Sequence, residues 1–260
     1  MTSGSDGLRR ERVVGLARLD LGRFDVGRFD VGQVDGRPGK RLIPISGWLI
    51  STDSGRHLLF DTGFPPACAT DPRAMAEADG LDGFGQLVDY RPQHTIKGAL
   101  ALHNLTPADI SHVLLSHSPI DHVGGLPLFT DAEVILSQRE RSEPRPLYFG
   151  AARPMAWPQA RYRLLAKTTG LCHGLRMIAT PGHTAGHMSA LVTVSGQPVV
   201  LAADAINRHS EPAEGYPDAA DPAQAARSGA GLLRLATRLG AMLIPGHQPV
   251  GTDPVRDRWP

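Results

Sequence analysis

The chain has 260 residues, a length that single α/β domains commonly reach, and Lys+Arg 27 against Asp+Glu 26 leaves a formal charge of +1. No basic field exists to draw nucleic acid or an anionic membrane, so neither is expected as a partner. Hydrophobic residues at 41% and charged ones at 20% exclude wholesale disorder, and two cysteines, Cys68 and Cys172, are too few for a disulfide framework. The first residues hold no apolar leader core and no run of 18 apolar residues occurs, so a cytoplasmic protein without a membrane span is expected.

Residues 1–11 are polar and read as a flexible N-terminus. A five-residue tandem follows, Gly22-Arg-Phe-Asp-Val and Gly27-Arg-Phe-Asp-Val, whose alternation suits an edge strand or a hairpin. From residue 42 onward short apolar runs alternate with helical patterns, the mark of an α/β layered architecture. The runs predict strands at 42–51, 57–61, 112–116, 132–137, 175–180, 189–195, 198–203 and 241–244. Thr106-Pro107 opens a short helix. Asp221-Pro222 opens a longer one, with a capping carboxylate, proline in the first turn, the apolar positions Ala226, Leu232, Leu233, Leu235, Ala236 and Leu239, and Gly240 at its end. Residues 139–160, rich in Arg, Pro and aromatics, read as an irregular loop of functional length.

Five of the predicted strands end at a residue able to bind a metal: Asp61, His117, His183, Asp204 and His247. Glycine and proline surround them, as in Pro181-Gly182-His183 and Pro245-Gly246-His247, so the chain turns there and the side chains point back over the strand ends. The densest piece is His117-Ser118-Pro119-Ile120-Asp121-His122, three candidate ligands in six residues. Imidazole with carboxylate suits zinc, with manganese(II) or iron(II) as alternatives. A single histidine here would be read as a cap or a core residue; five strand-end coincidences make a metal centre the better reading.

These motifs resemble the metallo-β-lactamase superfamily, an αββα sandwich with a His-x-His-x-Asp-His pattern and further His, Asp and His ligands downstream. The resemblance runs from about Trp48 to His247 and implies a single metallo-β-lactamase-like domain over 12–260. The run Thr180-Pro181-Gly182-His183-Thr184-Ala185-Gly186-His187, the Asp204 segment and the Asp221-Pro222 helix are most similar to N-acyl homoserine lactonases, enzymes of quorum quenching. The resemblance implies that His117 and His183 hold one metal, that Asp121, His122 and His247 hold a second, and that Asp204 bridges them. It also implies that Asp61 and His187 sit behind the ligands and orient them.

Two positions depart from the pattern. Pro119 stands where the family has its second His and offers no ligand atom, so one zinc is expected to bind firmly at Asp121, His122, Asp204 and His247, with the second weak or absent. Ser118, or His209 after Asp204, is a candidate replacement ligand. Asn207 stands where lactonases carry a Tyr that polarises the carbonyl, and its amide is a shorter donor for the same task. The expected activity is hydrolysis of an N-acyl homoserine lactone-like lactone or related ester by a metal-bound hydroxide, with Asp121 and Asn207 as catalytic residues and Asp121 passing a proton to the leaving alkoxide. The alternative is a metal-depleted or mononuclear member with redirected chemistry or ligand binding, for example in a biosynthetic pathway. Phe64, Tyr148, Phe149, Met155, Trp157 and His209 are the candidate pocket residues, with ordinary packing beneath a long loop as the competing reading. The partner expected is a small-molecule substrate, and the oligomeric state stays open, a homodimer included.

Other chemistries fit less well. Asp53-Ser54-Gly55 and Asp61-Thr62-Gly63 look like aspartic-protease turns but lie on one hairpin, whereas that dyad draws one carboxylate from each of two lobes. No Gly-x-Ser-x-Gly elbow occurs. Superfamily members that use iron for redox work resemble a His-x-Glu-x-Asp-His pattern, and position 119 is not Glu.

Overall fold

In the computed structural model, which describes residues 4–26, 41–71, 73, 86–144 and 157–248, the apolar runs assemble into two sheets. The first contains β1 (Val13–Val26), β2 (Arg41–Thr52), β3 (His57–Phe60), β4 (Gln86–Asp89), β5 (Ile110–Leu114), β6 (Glu133–Ser137) and β7 (Arg161–Leu165), in the order β4-β1-β2-β3-β5-β6-β7. The second contains β8 (Thr169–Cys172), β9 (Leu175–Ala179), β10 (Met188–Val194), β11 (Gln197–Ala203) and β12 (Met242–Pro245), in the order β12-β11-β10-β9-β8. Helices α1 (Gly4–Arg9), α2 (Ile96–Ala101), α3 (Ile120–Val123), α4 (Gln138–Arg141), α5 (Glu211–Glu214) and α6 (Pro222–Leu239) connect or cover them.

Residue alternation explains the layering. Each central strand is apolar on both faces, so each must be covered on both sides. On β11, Val199, Leu201 and Ala203 enter one buried cluster while Val200 and Ala202 enter another. On β2 and β3, Trp48, Ile50, Leu58 and Phe60 join Val199 and Leu201 between the sheets, whereas Leu49 and Leu59 face outward. The outward cluster of the first sheet is closed by Ile96, Ala99 and Leu100 of α2 and by Ile120 and Val123 of α3. That of the second sheet is closed by Ala225, Leu232 and Ala236 of α6. The result is helix on sheet on sheet on helix, the expected αββα sandwich. No helix among the described residues is long and apolar enough to cross a membrane.

The eight predicted strands all form, with ends shifted by one or two residues. Three expectations change. Residues 1–11 are not a loose end throughout, since Gly4–Arg9 are helical, Leu8 is fully buried between the sheets, and Glu11 is buried against the Thr52 hydroxyl (2.7 Å) and Arg56 Nε (3.0 Å). The first tandem copy ends β1, which lies inside the sheet between β4 and β2 rather than at its edge; residues 27–31 of the second copy lie outside the described residues. Thr106-Pro107 opens only a single 3₁₀ turn, Pro107–Asp109, and the 139–160 loop begins inside α4.

Candidate metal centre

Strands β3, β5 and β6 run parallel, as do β11 and β12, so the turns after β3, β5, β11 and β12 open at carboxyl ends, where ligand sites of α/β sheets gather. Asp61 follows β3, His117 follows β5, Asp204 follows β11 and His247 follows β12. His183 lies in the β9–β10 turn, and Asp121 and His122 lie on α3. Two of these turns use left-handed backbone at a residue other than glycine: Asp61 has φ 61° and Ala203, just before Asp204, has φ 46°. Such conformations cost free energy and persist where the surroundings impose them.

Two groups result. His117, His183 and Asp204 form one and Asp121, His122 and His247 the other, each with ligand atoms within 4.8 Å of one another. Asp204 faces both. Its Oδ2 lies 3.4 Å from His183 Nε2 and 3.7 Å from His117 Nε2, while its Oδ1 lies 3.2 Å from His247 Nε2 and 3.4 Å from His122 Nε2. Asp121 Oδ2 completes the second group, 3.4 Å from His122 Nε2 and 3.6 Å from His247 Nε2. His117 Nε2, His122 Nε2 and Asp204 Oδ1 are buried and have no hydrogen-bond partner among the described residues. Buried polar atoms rarely stay unsatisfied, and a cation between them would satisfy all three. The donor set fits a divalent transition metal.

The atoms behind the ligands fix their tautomers. His247 Nδ1 lies 2.9 Å from the Pro44 carbonyl, which only accepts, so the proton sits on Nδ1 and the Nε2 lone pair faces the centre. Asp61 accepts from the Ser116 amide (2.8 Å), the Ser116 hydroxyl (2.7 Å) and His122 Nδ1 (3.0 Å). With its hydroxyl proton given to Asp61, Ser116 accepts from His117 Nδ1 at 2.9 Å, which again turns a lone pair on Nε2 inward. His187 Nε2 accepts the Asp204 backbone N–H (3.1 Å) and its Nδ1 donates to the Thr180 hydroxyl (2.8 Å). Asp61 and His187 therefore lie behind the candidate ligands, Asp61 bonded to Ser116 and His122, and His187 to the Asp204 backbone.

Charge follows geometry. Burial opposes ionisation of Asp204, but His247, His122, His117 and His183 outweigh it and hold the carboxyl well below its usual range. Burial likewise opposes a charged His122, yet Asp121, Asp204 and Asp61 lift it well above the usual imidazole value. Burial, helped by His122, drives His117 well down, and burial with His183 pushes His187 to about 3. Asp121 and Asp204 are thus anionic and await positive charge, supplied by protons when no cation is bound.

Pro119 is buried at the head of α3, where its carbonyl accepts the His122 and Val123 amides at 3.0 and 3.1 Å. Neither expected replacement ligand joins the His117 group. The Ser118 hydroxyl donates to Glu140 Oε1 at 2.6 Å, and His209 is exposed. Asn207 gives one amide N–H to Glu211 Oε1 at 3.2 Å, its backbone N–H also donates to Glu211, and its buried Oδ1 has no hydrogen-bond partner among the described residues. Phe64 is 1% exposed, packed in the core edge-on to Tyr90, so it is core packing and not a pocket wall. Trp157 packs against the same core with Arg141 stacked 4.9 Å above its ring; Tyr148, Phe149 and Met155 lie outside the described residues.

Three buried charges escaped the sequence. Glu140 accepts hydrogen bonds from both ligand loops, Glu211 holds Asn207, and Arg208 pairs with Glu214 and Asp218. The partners of Glu140 lie 22 to 46 residues away, beyond any local spacing pattern, while those of Glu211 and Arg208 are local but look like ordinary surface charges until the fold buries them.

A profile of the metallo-beta-lactamase superfamily matches residues 41–247, which spans this centre and both sheets. The chain belongs to the metallo-β-lactamase superfamily. Relatives include "Metallo-beta-lactamase domain-containing protein 1" of Xenopus laevis, 33% identical over 158 residues, which cover 58% of this chain and 59% of that one. The N-acyl homoserine lactonase AttM of Azorhizobium caulinodans is 29% identical over 234 residues, covering 84% of each. The match spans only 59 to 66% of the length of the first relatives, the amphibian protein and a Bacillus N-acyl homoserine lactonase. Among superfamily structures, an N-acyl homoserine lactone hydrolase with product N-hexanoyl-L-homoserine at its catalytic metal center superposes with a TM-score of 0.76 at 22% identity, covering 91% of this chain and 94% of that one. At that identity the likeness concerns the fold.

Proposed function

We propose that this superfamily member is a metal-dependent hydrolase that opens a lactone of the N-acyl homoserine lactone type or cleaves a related ester. The observation that carries the reading is Asp204, whose two carboxylate oxygens face two separate ligand groups at 3.2 to 3.7 Å. Lactonases among the relatives support the substrate class. In this reading His117, His183 and Asp204 hold one zinc and Asp121, His122, His247 and Asp204 the other. Bound zinc supplies an acidified water and a Lewis acid for the carbonyl.

The chain's own residues do the rest. Asp121 is the most exposed carboxylate of the set, 16% against 6% for Asp204, so it lies nearest solvent. Its Oδ2 faces His122 and His247, leaving Oδ1 to take the proton that the attacking water gives up and to pass it to the leaving alkoxide. Glu211 fixes Asn207 beside Asp204, and the second Asn207 N–H is the donor assigned to the substrate carbonyl. Among the described residues Cys68 and Cys172 form no disulfide, which suits the reducing cytoplasm proposed as its location.

Turnover of lactones, aryl esters, thioesters and phosphotriesters, each with and without added zinc, tests the reading. Metal-dependent lactone opening is expected. No metal-dependent turnover on any class would overturn it. A mononuclear enzyme with redirected chemistry is the second reading, favoured by the buried Pro119 and by an Asn207 acceptor that has no partner among the described residues. It predicts one tightly bound metal per chain and no lactone opening.

A further inference from the structure

The two side chains that accompany Asp204 in the ligand-poor group come from different sheets. His117 follows β5 of the first sheet, and His183 sits in the β9–β10 turn of the second. In that group Pro119 supplies no third imidazole to lock the two loops to a common ion. A buried carboxylate joins them instead. Glu140 of α4 is 2% exposed, and its Oε1 accepts the Ser118 amide at 2.9 Å and the Ser118 hydroxyl at 2.6 Å. Its Oε2 accepts the Thr184 hydroxyl at 2.7 Å and the Gly186 amide at 3.2 Å. Ser118 adjoins His117 and Thr184 adjoins His183, so one side chain grips the neighbour of each ligand. Four donors saturate the carboxylate, and bonds to an ionised acceptor are the stronger kind. The approach needs glycine: a Cβ at Gly186 would lie 2.2 Å from the Glu140 nitrogen. No hydrogen bond links Glu140 to Asp121, His122 or His247.

We propose that Glu140 is a positioning residue specific to the His117, His183 and Asp204 group, setting the separation of its two imidazoles in place of the ligand that Pro119 lacks. The proposal rests on the metal-centre reading and extends it to a residue that touches no metal. A site with few ligands depends most on their being held in place before the ion arrives, and losing such outer support costs about 10- to 100-fold in affinity.

Zinc titration of metal-freed protein against a chromophoric chelator, with cobalt(II) spectra alongside, reads each equivalent. In Glu140→Gln an amide faces two of the four donors, so the weaker equivalent is expected to lose about 10- to 100-fold in affinity, with a changed cobalt spectrum for that equivalent. The tighter equivalent should keep its affinity. Thr184→Val removes one of the four bonds and should give a smaller loss of the same kind, which keeps the test open if Glu140→Gln folds poorly. Equal weakening of both equivalents in step with a lower Tm of the metal-free protein would mean a general folding role and overturn the proposal. So would two unchanged equivalents, or a wild-type chain with a single equivalent that neither variant alters. A wild-type chain that takes up no zinc at all would overturn the metal-centre reading first, and this proposal with it.

Discussion

Pro119 keeps the backbone task of its position and abandons the chemical one. Its carbonyl caps α3 through His122 and Val123, a role any residue can fill, while the ring offers nothing to a cation. Pro119→His should therefore leave the turn intact and tighten the weaker zinc equivalent by about tenfold or more, the scale on which one tuned contact acts. Elemental analysis after dialysis against dilute zinc would show the stoichiometry rise; unchanged metal content and turnover would show that position 119 limits neither. Asp61 offers the complementary case. It holds both Ser116 and His122 from a left-handed backbone that Asn also tolerates, so Asp61→Asn should fold normally yet bind metal about 10- to 100-fold more weakly at the His122 group. Zinc titration with a control circular dichroism spectrum checks it, and an affinity equal to wild type would mean that Pro44 and Ser116 suffice to orient the ligands.

At the scale of elements, α6 and the His183 turn are one unit. Asp221 caps the helix by accepting the Gln224 amide at 2.9 Å, while the Asp221 and Ala220 amides donate to the Gly182 and His183 carbonyls. Asp221→Ala should cost about 1 kcal/mol, read as a lower denaturation midpoint with metal affinity nearly kept. Gly182→Ala should do worse. Residue 182 has φ 140°, and a Cβ there would lie 2.2 Å from the Ala225 nitrogen, so the turn must leave the helix and carry His183 with it. Loss of zinc affinity together with a larger midpoint shift is expected; a variant as stable as Asp221→Ala would show that α6 can shift to make room. The α6 cap and glycine stop were legible because capping is local. Strand β1 was legible only at its end, where the alternation of Gly22-Arg-Phe-Asp-Val reads as a strand; its stretch from Val13 to Leu21 went unread, and its place between β4 and β2 is set by pairing. Strands β7 and β8 also went unread, each having a single buried residue, Leu165 and Leu171.

For the molecule as a whole, His117, His183, Asp204 and His247 were readable as candidate ligands because each follows an apolar run, a local signal, whereas Asp121 and His122 on α3 were readable only from their closeness to His117 in the chain. The charges that brace the ligands, Glu140 and Glu211 above all, were not readable, because a buried Glu and a solvated one look alike until the fold supplies partners. The end of the first sheet away from the metal centre makes the same point and yields a pH prediction. His112, two residues before the inward-facing Leu114, is 5% exposed and has Glu133 at 3.7 Å. Burial, with Arg56 adding to it, pushes its imidazole from 6.5 down to about 4. The unfolded chain therefore takes up this proton near pH 6.5 and the folded chain only near pH 4. Between those values the unfolded state holds more protons, so this residue's contribution is full above about pH 6.5 and falls by up to about 1.4 kcal/mol per pH unit on acidification, levelling off below about 4. The metal centre also loses its ion in acid, so wild type and His112→Gln must be compared metal-free. Urea midpoints from about pH 7 to about pH 5 should fall more steeply in wild type than in the variant. Parallel curves would mean that His112 finds its proton in the fold as easily as in the unfolded chain, through Glu133.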